Sequence, residues 1–177
     1  NFLTSANPKA EKRTLKRRYL LKVWKIFSKK RTSNGPARDM EELKKKILEE
    51  GVAIGTQIVK VDNFLNHKLD IKFLDRIGFE FRRRFDGVDI NKILTVEASG
   101  IAVACMTAPH FGYPPVVFAK KAVPSTMTEG FYKAEAKSFT KGTVSEFRVS
   151  ESFLNESDKV LIIDDFMAHG EASMALL

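Results

Sequence analysis

Val160-Leu161-Ile162-Ile163-Asp164-Asp165-Phe166-Met167-Ala168-His169-Gly170-Glu171-Ala172 is the stretch on which the fold of this chain turns. Its four leading apolar residues predict a strand buried on both faces, the kind found in parallel sheets. That strand delivers two carboxylates, Asp164 and Asp165, to its carboxyl end. A turn of small residues around Gly170 then feeds the start of a helix. In open α/β sheets, ligands sit at that edge. Backbone N–H groups without partners, at the positive end of a helix dipole, suit a phosphate. The neighbouring carboxylates can accept hydrogen bonds from sugar hydroxyls or act on a hydrated Mg²⁺. Two acids alone would be the polar end of a strand and nothing more. The full order of the segment points instead to a sugar phosphate.

Working outward, Lys92-Ile93-Leu94-Thr95-Val96 predicts a second buried strand. It leads into Glu97-Ala98-Ser99-Gly100 and an apolar helix running through Cys105 to about His110. Pro114 to Ala119 is a third strand. Residues 120–135 are polar and rich in turn formers, too long for a routine connection, and are expected to be a mobile functional loop. Two strands are expected around 136–140 and 144–150. Upstream, Asp39-Met40-Glu41-Glu42 fits a capping box. Met40, Leu43, Ile47 and Leu48 then follow helical spacing to Gly51. Val52 to Val61 suits a short strand or hood-like segment. Asp70 can cap a second helix, with Ile71, Leu74, Ile77, Phe81 and Phe85 facing inward, Arg82 to Arg84 outward, and Gly87 at its end. Strands alternating with helices indicate α/β architecture with an open, mainly parallel sheet.

Composition narrows the function classes. The chain has 177 residues, 44% of them hydrophobic, enough for one globular domain with a core. No apolar run reaches the roughly 18 residues of a membrane-spanning helix, and no secretory signal pattern is present. A single cysteine, Cys105, forbids an internal disulfide and favours a reducing, cytoplasmic setting. On an apolar helix it reads as a small buried hydrophobe. His67, His110 and His169 are too dispersed for a zinc site. The net charge of +8 is localised: residues 1–39 hold twelve Lys and Arg against two acids, and residues 40–177 hold eighteen against twenty. The basic excess therefore belongs to an extension, residues 1–39, and the domain proper is 40–177. Leu15, Tyr19, Val23 and Phe27 could line one face of a lone amphipathic helix, but Thr32 to Pro36 reads as a linker. A poorly ordered extension is the favoured reading, with nucleic acid or an anionic membrane as the other possible contacts.

The segment from Val160 to Ala172 resembles the phosphoribosyl-pyrophosphate signature of type I phosphoribosyltransferases. Met40 to Ile47, Gln57 to His67, Thr95 to Ala102, Pro115 to Lys121 and Ser138 to Lys141 follow the same family's order. Across residues 40–177 they resemble bacterial xanthine phosphoribosyltransferases, whose phosphate loop is close to Ala168-His169-Gly170-Glu171-Ala172. The resemblance implies the type I phosphoribosyltransferase fold, a mainly parallel twisted sheet flanked by helices, with an N-terminal hood and a flexible loop. It implies transfer of a phosphoribosyl group to xanthine, giving xanthosine monophosphate and pyrophosphate, by a cytoplasmic homodimer using Mg²⁺ carried by the substrate.

By the same resemblance, Asp164 and Asp165 hold the ribose hydroxyls, and Ala168, His169, Gly170, Glu171 and Ala172 bind the 5-phosphate. Glu97, Ala98, Ser99 and Gly100 form the pyrophosphate loop. Lys120 and Lys121 neutralise pyrophosphate, and residues 120–142 close over the site and exclude water. Val59 and Asn66 contact the purine from the hood. By residue type alone, the lysines are surface charge, Val59 a core residue and Asn66 a cap. Glu171 departs from the family's neutral glutamine, and a carboxylate there repels phosphate unless it turns away or pairs with a cation. Family members are also expected to continue past Leu177 with a further strand of the sheet. A second reading keeps the ligand without turnover: a regulator that senses phosphoribosyl pyrophosphate and binds DNA through its basic segment, although no helix-turn-helix pattern is present.

Overall fold

Lys92–Val96 (β3) forms the middle of a three-stranded parallel sheet, with β4 (Val116–Ala119) on one side and β7 (Val160–Ile162) on the other. Register sets Thr95 opposite Phe118 and Leu94 opposite Ile162. The ladder continues past β7, where Ile163 N–H donates to Leu94 O at 2.9 Å. The computed structural model describes residues 40–54, 58–121, 130–137, 144–166 and 171–177. The basic extension lies outside them. Residues from Met40 to Leu176 belong to one unit.

The order begins with α1 (Glu41–Glu50), followed by the antiparallel hairpin β1 (Val52–Ile54) and β2 (Ile58–Lys60). A π-helical turn, Asp62–Asn66, leads to α2 (Ile71–Arg84). After β3 come α3 (Ser99–Thr107), a 3-10 turn (Ala108–Phe111) and β4. Strands β5 (Phe131–Lys137) and β6 (Val144–Ser150) pair antiparallel. They join the end of β4, where Lys120 and Arg148 exchange two backbone hydrogen bonds of 2.9 Å. Then come a short 3-10 turn (Glu151–Phe153), β7 and α4 (Glu171–Ala175). No helix among the described residues is long and apolar enough to cross a membrane.

Alternation along the strands divides the core into two layers. Ile93, Leu161 and Ile163 pack with Phe73, Leu74 and Ile77 of α2 and Val103 and Ala104 of α3. Phe64 closes that layer edge-on against Phe73, with centroids 5.6 Å apart. Leu94, Val96 and Ala119 form the other layer with Phe147 and Val149 of β6, and Ala172, Ala175 and Leu176 pack against it. α2 and α3 approach closely at Gly78, where an added Cβ would lie 2.6 Å from Met106 O.

Several local expectations hold and several are corrected. Asp70 caps α2, accepting from Phe73 N–H at 3.0 Å. Met40, rather than Asp39, occupies the N-cap of α1 and makes no side-chain cap bond. Glu42 is used instead in tertiary structure, accepting from Arg76 Nε of α2 at 2.8 Å. Ile71, expected inside, is 54% exposed, and Phe73 takes the core position because it meets Phe64. α2 ends at Arg84, ahead of Gly87, whose φ of +71° turns the chain. Arg83 and Arg84 lie on its exposed side bonded to Glu80, as expected of a solvated face, whereas Arg82 lies over Phe111. The α-helical part of the next helix stops at Thr107, just before Pro109, which has no N–H to continue it.

Cys105 is exposed, not buried. α3 is apolar on every side, so its composition could not say which face turns inward; Gly100, Val103, Ala104 and Thr107 do. The strand expected over 136–140 starts earlier, at Phe131, inside the expected loop over 120–135, while residues 122–129 and 138–140 lie outside the described residues. Residues 131–137 form β5, because the full seven-residue ladder with β6 satisfies their backbone groups.

Candidate active site

Three parallel strands end side by side, and their carboxyl ends carry the predicted site residues. β3 runs into Glu97 and Ala98, and Ser99 and Gly100 already form the first turn of α3. β4 ends at Ala119, followed by Lys120 and Lys121. β7 delivers Asp164 and Asp165. Hydrogen bonds tie the ends of β3 and β4 together. Glu97 N–H donates to Ala119 O at 3.1 Å. Lys121 N–H donates to the Glu97 carboxylate, Oε1, at 2.6 Å. Gly100 lies close to the β7 end: an added Cβ would overlap Thr95 Oγ1 and sit 3.8 Å from Asp164 Cα. Only glycine lets the start of α3 pack that closely on β3.

The electrostatics of the acid pair are unusual. The Asp164 carboxyl is pushed up to about 6. Partial burial is the leading cause, followed by its hydrogen bond to Asp165 and by repulsion from that second carboxylate. Asp165 N–H, donating to Asp164 Oδ1 at 2.9 Å, and the positive charge of Lys121 work in the opposite direction. Two acids thus share this edge, with Lys121 as the cation that partly offsets the repulsion on Asp164. Such an edge favours a ligand that brings hydroxyl donors or a cation.

The structure brings Glu97 to Gly100, Lys120 with Lys121, and Asp164 with Asp165 to one edge. Val59 stands on β2, 39% exposed rather than in the core, and Asn66 is the exposed last residue of the π-helical turn. Ala168, His169 and Gly170 lie outside the described residues, as do 122–129 and 138–143 of the expected closing loop. Glu171 begins α4, and Ala172 packs on the second core layer. One residue of this edge escaped the sequence reading. Thr95 is fully buried, and its Oγ1 is the one buried side-chain polar atom without a hydrogen-bond partner among the described residues. The available signal was a hydroxyl inside the otherwise apolar run Ile93 to Val96. Also among the described residues, no group of three or more His, Cys, Asp or Glu side chains is placed to hold a metal ion.

No family model matches the chain. Comparison with curated proteins is decisive. The chain is 54% identical over 138 residues to the xanthine phosphoribosyltransferase of Clostridium novyi (strain NT), a match covering 78% of this chain and 72% of that protein. It is 53% identical over 137 residues to the xanthine phosphoribosyltransferase of Staphylococcus aureus (strain MRSA252), covering 77% and 71%. The chain belongs to the xanthine phosphoribosyltransferase family. Its fold agrees with that membership. The adenine phosphoribosyltransferase of Saccharomyces cerevisiae superposes with a TM-score of 0.60 at 19% identity, over 77% of this chain and 79% of that one. That of Rhodothermus marinus gives 0.57 at 19%, over 75% and 74%. The chain therefore has the type I phosphoribosyltransferase fold.

Proposed function

We propose that this chain transfers the phosphoribosyl group of phosphoribosyl pyrophosphate to xanthine, giving xanthosine monophosphate and pyrophosphate. The observation that carries the reading is the undercompensated Asp164–Asp165 pair at the end of β7, beside the Glu97–Gly100 turn, in a chain of this family. A purine nitrogen attacks the anomeric carbon, the bond from that carbon to the pyrophosphate oxygen breaks, and the purine N–H proton is lost. Positive charge develops on the sugar and negative charge on the leaving group. Positioning and electrostatics can supply most of the rate enhancement.

Each residue has a role in this scheme. Asp164 and Asp165, ionised, accept hydrogen bonds from the ribose hydroxyls and offset charge growing on the ring. The turn from Glu97 to Gly100 receives pyrophosphate on its backbone N–H groups. Lys120 and Lys121 neutralise it as it departs. Ala168 to Ala172 hold the 5-phosphate. Val59 and Asn66 of the hood contact the purine. Mg²⁺ carried by the diphosphate would supply positive charge against the leaving group, with Asp164 and Asp165 the residues placed to meet it through its waters. Hard oxygen donors such as the aspartate pair suit an ion that keeps most of its waters. A cytoplasmic homodimer acting in purine salvage completes the reading.

The test is a transferase assay on the chain with phosphoribosyl pyrophosphate, Mg²⁺ and xanthine, guanine or hypoxanthine in turn. Xanthosine monophosphate is the expected product, with xanthine the preferred base. Preference for guanine would overturn the specificity, and no product with any of the three would overturn the activity.

A further inference from the structure

Glu97 carries a charge that does not suit its place. It opens the turn proposed to receive pyrophosphate, where a carboxylate repels an anion. The role proposed for that turn uses backbone N–H groups and leaves this side chain without a task. The side chain is nonetheless engaged, because its Oε1 accepts the Lys121 N–H at 2.6 Å.

That bond stands where the β3–β4 ladder runs out of backbone acceptors. Ile93 N–H donates to Pro115 O at 3.0 Å, and Glu97 N–H donates to Ala119 O at 3.1 Å. Bonds in a parallel ladder are evenly spaced and run back and forth between the strands. The next would run from Lys121 N–H to the Glu97 carbonyl. β3 ends at Val96, however, and the chain is already in α3 at Ser99. The Glu97 carboxylate takes the Lys121 N–H instead, and β4 gains one more rung. On the other side of β4, Lys120 is fixed by its two backbone bonds with Arg148.

The extra rung decides where Lys121 stands. Alternation along β4 places it on the face that carries Val117 and Ala119, and alternation along β7 places Asp164 on the face that carries Ile162. Those apolar residues belong to one core layer, so Lys121 and Asp164 fall on the same side of the sheet. Lys121 is also the cation whose charge acts on Asp164. Lys120 falls on the opposite face, over the Phe118 ring. We propose that the Glu97 carboxylate is a positioning group: by accepting the Lys121 N–H it extends the β3–β4 ladder and holds Lys121 on the Asp164 side of the sheet, where the lysine meets the departing pyrophosphate. This inference rests on the reading of that edge as the pyrophosphate site. It assigns the Glu97 carboxylate no contact with substrate.

The inference is tested on the full chain by calorimetry of pyrophosphate binding with Mg²⁺ present, together with the kcat and KM of transfer. Glu97→Ala removes the acceptor and should weaken pyrophosphate about tenfold, the worth of one charge-assisted hydrogen bond. KM for phosphoribosyl pyrophosphate should rise by the same factor, with KM for xanthine unchanged. In a Lys121→Ala background, itself about tenfold weaker, Glu97→Ala should cause no further loss, because the two residues act as one unit. Glu97→Gln keeps an acceptor oxygen and drops the charge, and should restore affinity to within about threefold of the unsubstituted chain. If Glu97→Ala fails to fold, Glu97→Asp takes its place: it keeps the charge, shortens the reach and should weaken pyrophosphate in the same way. Affinity that rises or stays level when the acceptor is removed overturns the inference, because the carboxylate then only repels. So does an equal loss in both backgrounds, which marks a general structural role, and so does failure of glutamine to rescue. The functional reading fails separately: coupling of Glu97 to Lys121 in pyrophosphate binding, in a chain that turns over none of the three bases, supports the positioning role and overturns only the transfer reaction. A chain with no affinity for pyrophosphate overturns both.

Discussion

β7 is bracketed by two carboxylates that the fold treats in opposite ways. At its amino end, Asp158 is 8% exposed and fully supported. Lys92 Nζ lies 2.6 Å from its Oδ2 and Asn155 N–H donates to the same oxygen at 2.9 Å. Burial alone would raise its pKa, but the lysine and the amide outweigh it, and the carboxyl is held below its ordinary range. At the carboxyl end, Asp164 has a second acid for a neighbour and is pushed up to about 6. The same strand thus carries one acid whose charge is neutralised by the protein and one whose charge is left for a ligand. The first end is built for stability, and the second is the end at which open α/β sheets take ligands.

The largest effect should come from the unsupported acid. Asp164→Asn removes the negative charge that the ribose is proposed to use, and kcat/KM should fall about 100-fold or more. The unliganded protein should melt no lower than before, because a repulsion has been removed. A variant that loses stability and keeps activity would reverse the contrast between the two ends. Asp158→Ala should do the opposite. Leaving Lys92 without its carboxylate costs about 3 kcal/mol, a drop of about 8 °C in Tm for a chain of this size. The folded fraction should retain its KM values in steady-state assays.

Gly100→Ala tests the close approach at the binding end. The added methyl meets the fully buried, β-branched Thr95, and overpacking of this kind costs about 2 kcal/mol, readable in a denaturant melt. An unchanged midpoint would show that α3 can move away from β3 freely.

The smallest effect is a matter of pH. Asp164 has a folded pKa above its unfolded value of 3.8. The folded state therefore binds more protons between about 4 and 6, and this group's contribution to unliganded stability declines as pH rises through that window. Asp158 has the reverse sign, so its contribution is full above the ordinary carboxylate range and is lost as pH falls through its lowered pKa. In the proposed role Asp164 binds the ribose ionised, so KM for phosphoribosyl pyrophosphate should rise by up to about tenfold per pH unit below pH 6. The dependence should vanish in Asp164→Asn. A flat profile in the unsubstituted chain would show that the carboxyl is already ionised at low pH.

Much of this contrast was legible in the chain itself. The runs Ile93 to Val96 and Val160 to Ile163 announced buried parallel strands, since only strands covered on both faces are apolar at every position. Asp70 announced its cap, because capping is settled by residues three positions apart. The α3 face was not legible, as a helix apolar all round carries no periodic signal, and Cys105 was misplaced for that reason. β5 was hidden because its lysines and glutamate look like a loop until β6 supplies its backbone partners. Asp158 drew no notice, since nothing in its neighbourhood along the chain points to Lys92, 66 positions away.

Sequence alone determined which residues follow each strand end, where the basic residues collect, and which family the order of motifs resembles. These are properties of neighbours along the chain, and they survive without coordinates. Tertiary structure decided which acid is neutralised, which helix face is buried, and that the Thr95 hydroxyl lies unpaired beneath the Glu97–Gly100 turn. Burial, local dielectric and hydrogen-bond satisfaction sum over everything near a group in space, and Lys92 reaches Asp158, and Lys121 acts on Asp164, from distant parts of the chain.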